Sequence, residues 1–160
     1  TSIDLLVKAT PLHDIGKIGI PDHILLKKGP LTEEEWIIMK THTSIGESVL
    51  DAVEIERDIE SDVIAKAIKI AGGHHEKWDG SGYPRGLRED NIPLEARIMS
   101  VADMYDALVS KRSYKNAWEH QDAVDEILKR RGTFFDPLVI DAFVIEQQTF
   151  QKIAQQYQDI

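Results

Sequence analysis

The sequence contains no cysteine. That excludes disulfides, thiolate nucleophiles, zinc fingers and iron–sulfur clusters, since each needs the sulfur. No apolar run approaches the roughly 18 residues of a membrane-crossing helix, and no leader segment is visible; a cytoplasmic location is the expectation. Basic residues are in deficit, with 28 acids against 19 bases and a net charge of -9. A non-specific nucleic-acid binder needs a basic face, so neither DNA nor RNA is an expected partner. An anionic small substrate stays possible, but a local cluster of positive charge, from side chains or metal ions, would have to meet it. Strand signals are also scarce. Ile18-Gly19-Ile20-Pro21 is too short and too punctuated to build a sheet, and Ile24-Leu25-Leu26 is a run of only three.

What is present reads as one domain over residues 1–160. A chain of this length buries roughly 68–70% of its unfolded surface, and 42% hydrophobic with 29% charged residues is ordinary for a globular protein. Helical periodicity recurs along it. Leu5 to Ala9 starts the series. Thr32 and Glu35 form a capping box, opening one helix that carries Trp36, Ile37, Met39, Ile45, Val49 and Leu50. Val63, Ile64, Ala67, Ile68 and Ala71 mark another, ended by Gly72-Gly73. A third runs from Leu94 to Leu108, with Pro93 near its start, where a missing N–H costs little. Ala123, Val124, Ile127 and Leu128 mark a fourth, stopped by Gly132, and Pro137 opens the last. The fold class is all-α: a helical bundle with one long loop, Trp78 to Pro93, containing Gly80, Gly82, Pro84, Gly86 and Pro93. Trp78 and Tyr83 favour an ordered loop, and long ordered loops in small domains are usually functional.

Four of the six histidines fall in three places: His13 beside Asp14, with Lys17 close by; His42; and the pair His74-His75. Asp103 follows on the segment that begins near Leu94. His42 lies three residues after Met39 and three before Ile45, and His75 lies four after Ala71, so both share an apolar face. Asp103 follows Met99 by four. A carboxylate on an apolar face is costly unless it is paired or binds a cation. Imidazoles with carboxylates suit Mn, Fe, Co or Zn rather than Mg alone, and facing helices commonly feed such ligands into a bundle core. Singly, each residue has a plainer reading. An inward histidine is more often a hydrogen-bonded core residue, a histidine pair can sit at a helix C-terminus, and Asp103 can pair with a base. The joint pattern favours metal. His23 and His120 lie among polar neighbours and read as surface residues.

His13-Asp14-Ile15-Gly16-Lys17, followed by Ile20-Pro21-Asp22, resembles the signature of the HD-domain phosphohydrolases. His74-His75-Glu76-Lys77-Trp78-Asp79-Gly80-Ser81-Gly82-Tyr83-Pro84 resembles the defining motif of their HD-GYP subfamily. Leu31 to Trp36, Met39 to His42, Ile92 to Ile98 and Val101 to Leu108 fit the same pattern in the same order, so the resemblance runs from about Leu5 to Phe143. It implies an HD-domain helical bundle with two or three divalent metal ions, iron or manganese, and phosphodiesterase activity on cyclic di-GMP, giving the linear dinucleotide or GMP. The ligands it implies are His13, Asp14, His42, His74, His75 and Asp103, with Asp14 bridging metals. Lys17 matches a lysine that approaches the scissile phosphate, and Arg112 and Lys115 match residues that grip phosphate. Gly82 and Tyr83 belong to a loop that would wall the substrate. Tyr83 could donate to phosphate or simply pack, with packing favoured; Trp78 could stack on guanine or anchor the loop, with anchoring favoured; Glu76 and Asp79 read as structural. Asp106 could orient a ligand histidine or be a surface acid.

The sequence departs from that pattern. The family carries a further histidine on a helix well before the His-Asp pair, and none of the twelve residues ahead of His13 is His or Glu. A domain lacking its N-terminal helix or helices is the expectation. Glu89 stands where glycine is usual, Ser113 where proline is usual, and Gly72-Gly73 is atypical. A second reading is a module that binds cyclic di-GMP, or a partner protein at the Gly-Tyr-Pro loop, without turnover. The resemblance also implies a sensory or receiver domain in the full-length protein.

Overall fold

The computed structural model describes residues 1–57, 61–110 and 116–157. Among them stand eight α-helices, three short 3-10 helices and no strand, only an isolated bridge between Arg131 and Phe135. The all-α expectation therefore holds. The helices are α1 (Ser2–Ala9), α2 (Asp22–Leu25), α3 (Glu33–Lys40), α4 (His42–Arg57), α5 (Asp62–Gly73), α6 (Leu94–Val109), α7 (His120–Leu128) and α8 (Pro137–Tyr157). No helix among the described residues is long and apolar enough to cross a membrane.

Local chemistry sets the starts. Thr32 caps α3 and Glu35 returns the bond to the Thr32 N–H, so both orphan donors of the capping box are satisfied. The expected single helix over 33–50 is instead two. At Thr41 the hydroxyl takes the Ile38 carbonyl, and His42 Nδ1 takes that of Met39 at 2.7 Å. Side chains thus occupy carbonyls that a continuous helix would use, and the chain restarts at His42. The break leaves α3 with no buried residue, so Trp36 and Ile37 are exposed instead of lining a core.

Helix α5 ends at Gly72-Gly73 as expected, the two glycines being its last helical residues. A β-carbon on Gly72 would lie 2.8 Å from the Glu47 carboxylate carbon, and one on Gly73 would lie 3.0 Å from Ala96 Cβ. The glycines let α5 lie close against α4 and α6 just before His74.

Two apolar clusters hold the bundle. One gathers Ala9, Leu50, Ala67, Ile70, Ala71 and Met99 from α1, α4, α5 and α6. The other gathers α6, α7 and α8 around Tyr105, Ile127, Ile140 and Phe143, where Tyr105, Phe143 and Phe150 meet edge to face. Helix α6 contributes to both, and Asp103 lies between its Met99 and Tyr105 contributions. His120, expected at the surface, packs into the second cluster: Nδ1 lies 2.8 Å from the Tyr105 hydroxyl and Nε2 is buried.

The loop from Trp78 to Pro93 is ordered. Trp78 and Asp79 donate their N–H groups to the Phe134 and Thr133 carbonyls. The buried Glu76 carboxylate accepts the N–H groups of Arg85 and Leu87, and Arg85 in turn grips Glu47 through two bonds. Glu76 therefore has the structural role expected of it, the centre of the half-buried Trp78 ring lies 5.7 Å from the Arg97 guanidinium carbon, and the Asp79 carboxylate accepts both donors of Ser81. Glu89, at the position where a glycine was expected, has φ of 49°. That left-handed conformation costs a side-chain-bearing residue roughly 1–2 kcal/mol, part of which glycine gives back through its freer unfolded chain. Glu89→Gly should raise stability by up to about 1 kcal/mol, and Tm by about 2–4 °C. A thermal melt checks it; a lower Tm would mean that the Glu89 side chain makes a compensating contact.

Candidate metal centre

Three chain breaks bring the site together. The first is the turn between two 3-10 helices, Thr10–Leu12 and Ile15–Gly19. There the Thr10 carbonyl accepts both the N–H of His13 and its Nδ1, at 3.1 and 2.9 Å. Lys17, one turn on, donates to Asp14 Oδ2. The second is the restart at His42. The third is the end of α5, where His74 Nδ1 lies 2.9 Å from the Ile70 carbonyl and 3.2 Å from that of Ala71.

Asp14 sits at the middle. Its Oδ2 is 3.2 Å from His13 Nε2, and its Oδ1 is 3.5 Å from His42 Nε2 and 3.9 Å from His74 Nε2. Asp103 Oδ1 is 3.8 Å from His13 Nε2. The His75 ring lies 4.1 Å from that of His74 and 5.1 Å from that of His42, centre to centre. All six residues expected as ligands therefore converge. One nitrogen from each of His42, His74 and His75 falls within 4.8 Å of the others.

The donor pattern fits a cation. A carbonyl can only accept, so Nδ1 of His42 and of His74 must carry the hydrogen and Nε2 must present its lone pair. Both Nε2 atoms are buried without a hydrogen-bond partner. Each instead faces Asp14 Oδ1, another acceptor. Buried lone pairs aimed at lone pairs are unfavourable unless something positive lies between them. Backbone carbonyls on Nδ1 are also the usual means of orienting a metal-binding imidazole.

The electrostatics agree. Burial, the largest effect, lowers the His42 pKa, lowers His74 to about 4 and lowers His75 to about 3. All three are neutral near pH 7 and free to bind metal. His13 differs: burial opposes its charge, but the Asp14 hydrogen bond, the Thr10 carbonyl and the charges of Asp14 and Asp103 outweigh this and raise its pKa. Asp14 is likewise burdened by burial, yet His13 and Lys17 hold its pKa far below the usual carboxylate range. Burial raises that of Asp103.

The loop closes one side. Tyr83 stacks on His75, with ring centres 4.9 Å apart and planes 20° from parallel. Burial and the charges of Asp103 and Asp14 push its hydroxyl up to about 12, so it keeps its proton. Gly82 has a packing reason to be glycine: a β-carbon there would lie 2.3 Å from the Lys77 nitrogen and 2.5 Å from the His75 carbonyl oxygen. Asp106 is exposed and accepts a bond from Ser110, so it orients no histidine. Arg112 and Lys115 lie outside the described residues. Lys40, which lies in the Met39 to His42 stretch but was given no role there, places its ammonium 5.4 Å from the centre of the Tyr83 ring.

The model of the HD domain family matches residues 4–139. The chain belongs to this family. As an HD domain it is similar to a probable cyclic di-GMP phosphodiesterase of Vibrio cholerae, at 54% identity over 99% of the chain and 36% of that protein. It is also similar to a cyclic di-GMP phosphodiesterase of Thermotoga maritima, at 51% over 85% of the chain and 35% of the relative. A second Vibrio cholerae cyclic di-GMP phosphodiesterase is 48% identical over 98% of the chain and 32% of that protein. The chain spans about a third of the length of these relatives. HD-domain phosphohydrolases are metal-dependent, and the His42, His74 and His75 nitrogens of this HD domain are grouped as a metal would need.

Proposed function

We propose that this chain is a metal-dependent phosphodiesterase that hydrolyses cyclic di-GMP to the linear dinucleotide or GMP. One observation carries the chemistry: the buried lone pairs of His42 and His74 converge on the Asp14 carboxylate that Lys17 also engages. The names of its relatives support the substrate. Two or three divalent ions, iron or manganese, would be held by His13, Asp14, His42, His74, His75 and Asp103. When bound, such ions make water nucleophilic at neutral pH and offset charge at the attacking and leaving oxygens of an in-line displacement.

The protein's own residues do the rest. Asp14 stays ionised because His13 and Lys17 hold it so. Lys17 is half-exposed at Nζ's side of that carboxylate, where its charge can also meet a phosphate oxygen. Arg112 would fork onto phosphate oxygens and Lys115 would act as a point charge. Tyr83, protonated and stacked on His75, is a hydrogen-bond donor beside the cluster.

The test is to load the chain with manganese or iron, incubate it with cyclic di-GMP and separate the products by chromatography. Linear dinucleotide or GMP should form, and a chelator should abolish it. Intact cyclic di-GMP in the presence of bound metal would overturn the proposal in favour of a binding module.

A further inference from the structure

Most cations around the cluster are already engaged. Lys17 is on Asp14, Lys27 on Glu35, Arg85 on Glu47, and Arg97 on Asp90 and Asp136. Lys40 is different. It ends α3, its side chain is exposed, and its ammonium makes no ion pair or hydrogen bond among the described residues; its one contact is the face of Tyr83. Tyr83 in turn stacks on His75. The lysine is thus held beside the candidate metal centre by a ring, not by a carboxylate, and its charge is free to meet an anion. A cation held this way keeps its donors available, because the ring takes no N–H bond in the way an acid does.

A cyclic dinucleotide brings two phosphodiester anions. One would be at the histidine–aspartate cluster, within reach of Lys17. The other must lie to the side of the cluster, and no histidine or carboxylate of the cluster can neutralise it. We propose that Lys40 is a substrate-binding residue that receives this second, uncleaved phosphodiester, with Tyr83 setting the position of its ammonium. This rests on the phosphodiesterase reading of the site and deepens it: Lys40 selects for a substrate carrying two phosphodiesters over one carrying a single phosphodiester. An α3 with no buried residue suits the role, since the helix can adjust to substrate without disturbing a core.

The experiment compares the metal-loaded chain with Lys40→Ala and Lys40→Arg on two substrates, cyclic di-GMP and bis(p-nitrophenyl) phosphate, which has one phosphodiester. Lys40→Ala should raise KM for cyclic di-GMP about tenfold, the size of one charge-assisted contact at an exposed rim, with the effect in KM rather than kcat. The ratio of kcat/KM for the two substrates should fall about tenfold, and Lys40→Arg should recover most of it. Metal content, measured on all three proteins, should be equal. An unchanged KM for cyclic di-GMP overturns the proposal. So does an equal loss on both substrates, which would place Lys40 at the reacting phosphate or in support of Tyr83. If the unaltered chain cleaves bis(p-nitrophenyl) phosphate but not cyclic di-GMP, the reading of the substrate falls and this inference with it; if it cleaves both and only the Lys40 effect is missing, this inference alone falls.

Discussion

Asp14→Ala should strip the chain of bound metal and of hydrolysis together. Among the described residues, Asp14 is the one side chain that lies within 3.9 Å of His13, His42 and His74 nitrogens and also takes the Lys17 bond. Residues that merely orient a metal ligand cost 10–100-fold in metal affinity or activity when lost. A carboxylate set between three imidazoles should cost more than that, so a drop beyond about 100-fold in both is the expectation. The alanine also takes the carboxylate partner from His13 and Lys17, whose pull holds the Asp14 pKa low, so it should cost some stability at neutral pH, offset in part because an acceptor facing the His42 and His74 lone pairs goes with it. Asp14→Asn keeps the shape and removes the charge, and it should behave like the alanine if charge is what holds the metal. Elemental analysis and product chromatography on the two variants provide the check. Wild-type metal content together with wild-type turnover would sink the assignment of the centre.

The parts of this centre that were legible in the sequence are those whose chemistry is local. Thr32 and Glu35 announce a helix start because a capping box is closed within four residues. His42, His75 and Asp103 announce an interior site because polar groups on apolar helix faces need a reason to be there. The detail that mattered most was not local. Whether 33–50 is one helix or two depends on Thr41 and His42 taking the Ile38 and Met39 carbonyls, and either outcome keeps the same apolar spacing. Gly72-Gly73 looks like a stop signal in sequence. Only the closeness of Glu47 and Ala96 reveals it as a packing surface. His120 reads as polar surface because its neighbours in sequence are polar, while its partner, Tyr105, comes from a different helix. Gly82 could equally have been cut away for a ligand; the Lys77 and His75 backbone atoms that fill the space are brought there by the turn of the loop. Lys40 falls in the Met39 to His42 stretch but suggests no role there, since a lysine at a helix end is ordinary and its ring partner is distant in sequence.

The same logic makes Gly16→Ala the most damaging small substitution in the chain. Gly16 is buried in the 3-10 helix after Asp14. A β-carbon there would stand 1.8 Å from the His42 carbonyl oxygen, 2.4 Å from the Gly46 nitrogen and 2.8 Å from the His42 carbonyl carbon. Every obstacle is backbone, so no rotamer change can make room. Gly46 mirrors it, its own β position lying 3.2 Å from the Gly16 nitrogen. These two glycines are what allow the His13-Asp14 turn to rest on the first turn of α4, and therefore what set the 3.5 Å between Asp14 and His42. Overpacking a core commonly costs 1–3 kcal/mol; with rigid backbone on all sides the cost should exceed about 3 kcal/mol, a large share of the 5–15 kcal/mol that holds a typical domain. Metal binding should fall even in the fraction that folds, because the turn can only relieve the clash by moving Asp14 away from His42. Gly29→Ala is the matched control: nothing lies within 4 Å of its β position, so it should be neutral or stabilise by a few tenths of a kcal/mol to about 1 kcal/mol. Thermal melts and metal analysis of the two variants separate the cases. A Gly16→Ala protein that melts with the wild type and keeps its metal would show that the turn and α4 do not meet through these glycines.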